Sequence, residues 1–468
     1  MTTTAQGLAT TTLTLSKHTA HLQRNALAAA LALAAALGVW FGLDALPSTA
    51  RLTLIVFAFA LIAWSVLRMA ETPVALAAGL ALVGFGATST EAFYGGMGDD
   101  LIWLLIGAFV LAAVLKRSGL AQRFALRMVG DAATVRQLFY RLNWVIAATA
   151  FVIPSTSGRA ALLLPVFTTL AATLPERNIV RALALLFPSV ILLSACASLL
   201  GAGAHLVAVD FMAEMGLRPI GFFEWLLLGA PFAVLSSLAA TEIILRLFLG
   251  RAERERAIRI EAPSAAQLSS EQRNILAVTA FTIALWAGGA WHGLDAAVIA
   301  LGGALLVTCK DATGVSLKEA LKGVEWNLIL FLAATLVMGE ALVQSGAASW
   351  LAQSIVQALP AHVMAQPWIL VVIGALIAML AHLVVTSRSA RAVVLIPAVA
   401  LPLSTTGIDP AALATQVLAL RSSPEFYAKQ SAAALARAEA FSWEKAAAGT
   451  LKVLDAASLL KMSTTAPA

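Results

Sequence analysis

The chain has little of what soluble domains and enzymes are made from. Only 12% of its 468 residues are charged while 60% are hydrophobic, and the mean hydropathy is +0.88. Soluble domains carry roughly twice that charged fraction, so this is an integral membrane protein. Two cysteines, Cys196 and Cys309, stand far apart in apolar runs with no Cys-x-x-Cys pair. That excludes a disulfide scaffold, a zinc ribbon and a redox pair, and both read as packing residues. There is no His-Glu-x-x-His, no Gly-x-Ser-x-Gly in a strand–turn–helix context and no Walker loop. The chain therefore reads as neither an enzyme nor an ATP-driven pump. Period-two alternation is also missing, which excludes a transmembrane barrel.

What is present is a series of apolar runs, and crossing the hydrocarbon core takes about 20 such residues in a helix. They predict an all-α integral membrane protein of about ten spans, with broken helices and re-entrant hairpins. Residues 1–24 are Thr-rich and expected to be a flexible cytoplasmic N-terminus. Spans are expected at about 25–44, 51–68 and 73–89. The unit at 99–120, LIWLLIGAFVLAAVLKRSGL in its core, has a central glycine and reads as a re-entrant hairpin or as a plain span that tolerates glycine. A broken helix at 142–171, then spans at about 180–212 and 219–249, complete a first repeat over 25–249.

A charged linker at 250–273 follows, and a second repeat over 274–408 resumes the order. It has spans at about 274–291 and 294–309, a hairpin-like unit at 324–346 and a broken helix at 367–404. The segment 409–468 is polar and alanine-rich, and departs from the repeat. Basic clusters at Lys116–Arg141 and Arg246–Arg273 should be cytoplasmic. They act as topology signals rather than as a nucleic-acid surface, and the setting is a bacterial inner membrane.

The duplication rests on two landmarks. The units at 99–120 and 324–346 both leave through Ser-Gly, at Ser118-Gly119 and Ser345-Gly346. Further on, IPSTSGRAALLLPV (153–166) and VVTSRSARAVVLIPA (384–398) share Ser-x-Ser-x-Arg-Ala, an aliphatic run and a proline. Near-equal offsets of separate landmarks argue for a repeat covering most of the chain, and repeated halves meeting at broken helices are a transporter design.

The motif carries the chemistry. A helix broken inside the membrane presents free N–H groups at one half-helix start, which attract anions. The hydroxyls of Ser155, Thr156 and Ser157 in the first copy, and of Ser387 and Ser389 in the second, can donate to a carboxylate or sulfate oxygen. Gly158 permits backbone shapes closed to other residues. Arg159, Arg388 and Arg391 are costly within the membrane, so they either grip an anion through the planar guanidinium or reach for an interface. His205, beside the glycine-rich stretch LLSACASLLGAGAHLVAVD (192–210), reads as a packed histidine or as a ligand. Asp210 and Glu340 are the acids best placed for proton work, each expected near an interface.

This arrangement resembles the divalent anion/sodium symporter family (the solute-carrier 13 type) over roughly residues 95–405. The resemblance implies transport of dicarboxylates, citrate or sulfate by a homodimer of inverted repeats, with an elevator-like moving domain. It places Ser155, Thr156 and Ser157, and Ser387, Arg388 and Ser389, where the family has Ser-Asn-Thr holding substrate and helping to form sodium sites. Arg159 and Arg391 stand where threonine is frequent. Both asparagines are missing and so is the family's Thr-Pro-Pro-Asn. Arginine repels a cation, so the reading is a small-anion carrier with no cofactor, its only ionic accessory a possible Na+ coupling ion whose role is in doubt; a sodium-independent carrier, exchange being one form of it, is slightly favoured over a sodium symporter. Two alternatives stand beside it: a non-transporting structural or regulatory relative, and a cation/proton antiporter of the same superfamily.

Overall fold

Alanine and leucine, both strong helix formers, fill the apolar runs, and helices are what they form. The computed structural model describes residues 2–130, 132–174, 176–214, 220–258, 267–358, 367–384, 391, 392 and 395. The motif residues Ser387, Arg388 and Ser389 and the segment 409–468 lie outside these. Among the described residues there is no strand, only one isolated bridge between Thr134 and Ala257.

The first half runs α1 (Thr2–Gly42), α2 (Ser48–Ser65), α3 (Glu71–Gly84), α4 (Thr90–Gly95), α5 (Asp100–Arg117) and α6 (Leu120–Gly130). It continues with α7 (Val135–Ala148), α8 (Thr156–Thr173), α9 (Arg177–Ser194), α10 (Gly203–Glu214) and α11 (Phe222–Phe248). The second half holds α12 (Ser270–Ala287), α13 (Ala296–Val307), α14 (Trp326–Gln344), α15 (Ala347–Ala358) and α16 (Pro367–Val384). Among the described residues, six segments are long and apolar enough to cross a membrane: Leu22–Gly42, Ser48–Ser65, Thr90–Arg117, Arg177–Ala197, Phe222–Phe248 and Trp326–Gln344. Glu71–Gly84, Ala296–Val307 and Val372–Ala381 are shorter apolar helices.

Two expectations need correction. Residues 2–24 are helical, continuous with the first span; once a helix is nucleated, each added residue costs little. The unit at 99–120 is no hairpin. Its residues 100–117 form one unbroken helix, and so do residues 326–344 of its counterpart. The central Gly107 serves close packing instead: a side-chain carbon there would stand 2.7 Å from the backbone of Ala300 on α13.

The repeat is visible in the helix order. α2, α3, α5 and α6 begin at 48, 71, 100 and 120, and α12, α13, α14 and α15 at 270, 296, 326 and 347. Both Ser-Gly exits are the same turn. Ser118 Oγ donates to Leu115 O (2.7 Å) and accepts from Leu120 N (3.3 Å). Ser345 Oγ donates to Leu342 O and accepts from Ala347 N (both 3.4 Å). Gly119 and Gly346 follow in left-handed backbone, with φ of 68° and 79°.

The halves are inverted with respect to each other. Gly96, just before α5, lies against Ala333 within α14, whereas Ala113 near the end of α5 meets Gly323, just before α14. The counterpart helices α5 and α14 thus run in opposite directions. One apolar core mixes both halves, through α2, α3, α5, α12, α13 and α14. A second belongs to α6–α9 and α11, and the motif grows out of it.

Candidate functional site

The chain breaks twice in neighbouring places. Between α7 and α8 it leaves the α-helix through a 3-10 turn at Thr149–Phe151 and restarts at Ser155. Between α9 and α10 it passes through two further 3-10 turns, Ala195–Ala197 and Leu199–Gly201. Gly229 of α11 presses against the carbonyl of Cys196. That carbonyl, freed by the break, accepts from Trp225 Nε1 at 3.1 Å.

Ser155 caps α8. Its Oγ accepts from Gly158 N at 3.1 Å and lies 2.8 Å from Ser157 Oγ. This satisfies one of the N–H groups that a helix start leaves open. Ser155 and Thr156 are buried, Gly158 is half-buried and Ser157 is exposed. Ser157 opens onto a cleft of about 570 Å³ lined also by Arg68, Glu71, Thr72, Glu325 and Asn327. The far wall is the start of α3 against the start of α14, tied by Thr72 Oγ1 donating to Asn327 O at 2.8 Å. Arg68 holds left-handed backbone (φ 55°), the one non-glycine to do so among the described residues. A side-chain carbon at position 158 would stand 3.3 Å from Glu325 Oε1, so the glycine lets this carboxylate approach the first turn of α8.

Arg159 does not face the cleft. It is the largest fully buried side chain described. Its Nε donates to Thr149 Oγ1 (2.8 Å), its Nη1 to Ile191 O (2.8 Å), and its Nη2 to Ile146 O (2.8 Å) and Ser194 Oγ (2.7 Å). The hydroxyl protons of Thr149 and Ser194 are given to Ile146 O and Val190 O. Their lone pairs are therefore left for the guanidinium. Ile146 and Ile191 lie in the last turns of α7 and α9, where the helix dipole is negative. One arginine thus joins both breaks from inside the protein.

Of the residues singled out in the first motif, Ser155, Thr156, Ser157, Gly158 and Arg159 come together, with only Ser157 and Gly158 next to the cleft. Arg391 is buried as well. His205 is outside the cleft lining: its Nδ1 is 3.1 Å from Ser198 O and its ring packs on Trp225 at 4.9 Å. Glu340 accepts from Gln344 at 2.7 Å in the last turns of α14 and takes no part in the site. The sequence reading missed Thr149 and Ser194, whose only signal is a lone hydroxyl in an apolar run. It also missed Arg68, Glu71, Glu325 and Asn327, which lie in another part of the fold. Ser198 in the second break is fully buried, and its Oγ has no hydrogen-bond partner among the described residues. No group of three or more His, Cys, Asp or Glu that could hold a metal occurs among them.

Residues 54–419 match the profile of the citrate transporter family, CitMHS. A membrane protein of Cupriavidus necator is 23% identical over 60% of this chain and 54% of its own length. An uncharacterized transporter of Mycobacterium tuberculosis is 24% identical over 70% of this chain and 76% of its own. The chloroplastic dicarboxylate transporter 1 of Arabidopsis thaliana is 28% identical over 59% and 53%. The chain thus spans about half the length of the Cupriavidus and Arabidopsis relatives. Among solved structures, the YdaH transporter of Alcanivorax borkumensis aligns with a TM-score of 0.47 and 16% identity, over 70% of this chain and 75% of that one.

Proposed function

The chain belongs to the citrate transporter family, and from that premise we propose that it is a secondary carrier of small di- or multivalent anions, carboxylates first. The observation that carries this reading is the start of α8. A helix N-terminus with a serine cap stands at a chain break, its Ser157 hydroxyl on a cleft of about 570 Å³, backed by a second break with a buried, unpartnered hydroxyl at Ser198. Helix N-termini and hydroxyls at discontinuous helices are what anionic substrates bind in such carriers. The name of the plant relatives, dicarboxylate transporter, agrees with the class.

In this reading α7–α10 move as a unit against α2, α3 and α14, carrying the anion past the cleft in an elevator-like step. The protein works by anion exchange as a homodimer in a bacterial inner membrane, and sodium does not drive it. The test is uptake of labelled succinate, citrate and sulfate into proteoliposomes preloaded with unlabelled anion, with and without a sodium gradient. The reading expects sodium-independent exchange of at least one carboxylate, with KM raised by Ser157→Ala. Folded protein that moves none of them under any gradient would overturn it.

A further inference from the structure

Resting on the carrier reading, we propose that Arg159 is a built-in cation, its guanidinium occupying an oxygen cage at the two helix breaks where an ion-coupled carrier would hold a dissociable one. Coupling cations in broken-helix carriers sit at half-helix C-terminal ends and unwound carbonyls. Here the C-terminal turns of α7 and α9 supply two carbonyls, Ile146 O and Ile191 O, and Thr149 and Ser194 supply two hydroxyl oxygens. All four are neutral oxygens, the donor set of a hard cation; the Ser194 proton is given to Val190 O outside the cage and the Thr149 proton to the cage's own Ile146 O, which leaves lone pairs of both hydroxyls for the guanidinium.

The electrostatics balance. Two helix C-termini carry about half a negative charge each, and one guanidinium supplies a full positive charge. That charge is permanent, because arginine does not lose its proton in proteins, and it is tethered to the first turn of α8. Its place is 0% exposed, between Thr149 of one break and Ser194 at the edge of the other. A sodium ion does not fit there: the cage is filled, and a second cation beside the guanidinium is repelled. Arg159 is accordingly a positioning residue. It holds the two breaks in register behind Ser155 and Ser157 and neutralises the negative ends of α7 and α9 next to the first turn of α8. It does so without an ion that must bind and leave in each cycle.

Removing the side chain should convert a fixed cation into a dissociable one. Purified wild type and Arg159→Ala are melted in choline, sodium and guanidinium chloride at equal, millimolar concentrations. Wild-type Tm is expected to be the same in all three salts. Arg159→Ala should melt at least about 5 °C lower in choline and regain part of that loss in sodium or guanidinium. Rescue by sodium is the discriminating readout, since guanidinium refills the cavity of any deleted arginine whereas sodium is held only by a cage of oxygens. The proposal is overturned if Arg159→Ala melts with the wild type, or if sodium shifts it no more than it shifts the wild type. Should that variant fail to fold, Thr149→Val with Ser194→Ala removes two of the four acceptors and keeps the charge. A lowered Tm supports the cage, and an unchanged one overturns it. Melting needs no transport, so absence of uptake would defeat the carrier reading and leave this one standing.

Discussion

At the scale of single residues, the first turn of α8 is where anion and protein compete. Glu325 reaches to within 3.3 Å of where a side-chain carbon of Gly158 would stand, so a carboxylate already faces the helix start that should receive the substrate. Two unit charges several ångströms apart in a wet cleft repel by about 1 kcal/mol. Glu325→Gln should therefore lower the KM for a dicarboxylate roughly fivefold, measured by uptake; an unchanged or higher KM would place the anion elsewhere. Ser155 acts differently, since its Oγ accepts from Gly158 N–H inside the protein. Ser155→Ala should cost about 1 kcal/mol of stability through the lost cap, read as a lower Tm, whether or not substrate is present. The serines and glycine of this site are legible in the sequence because hydroxyls and a glycine are conspicuous in an apolar run. Arg159 is conspicuous too, but its direction is not: a guanidinium turned into the protein and one turned toward a ligand look the same in a string of letters.

At the scale of elements, glycine has two separate uses. Gly119 and Gly346 meet no atom within 4 Å of a would-be side chain, so only their left-handed backbone demands glycine. Gly119→Ala and Gly346→Ala should each cost about 1 kcal/mol, and the two losses should match, which paired thermal melts would check. Gly107 has ordinary backbone and no room. Gly107→Val should force α5 and α13 apart and cost about 1–3 kcal/mol, seen as a larger fall in Tm. The sequence leaves this glycine as the bend of a hairpin or as a tolerated residue in a plain span, because a glycine that breaks a helix and one that lets two helices touch are indistinguishable without the partner; the structure has the plain span. The Ser-Gly exits were legible, since the turn they make is local.

At the scale of the whole molecule, the inverted halves exchange partners: α3 packs with α14, and α5 with α13. The cleft lies between the starts of α3 and α14 and the tip before α8, which grows from the other core. If α8 travels against that wall during transport, a short bifunctional thiol reagent bridging Ser157→Cys and Asn327→Cys, in a chain lacking Cys196 and Cys309, should stop uptake. Modifying either cysteine alone should not. Equal uptake before and after bridging would mean that the two walls stay together.

The sequence by itself determined the membrane setting, the helical class, most span positions, the duplication and the polar motif. Each of these depends on composition, on period or on neighbours close along the chain. Only the tertiary structure decided which helices of the two inverted halves pair, that Arg159 closes on two helix ends, and that Glu325 and Arg68 stand across from Ser157. These depend on segments up to some 260 residues apart in the chain, brought together by helix packing, and no local pattern of side chains encodes which helix end meets which.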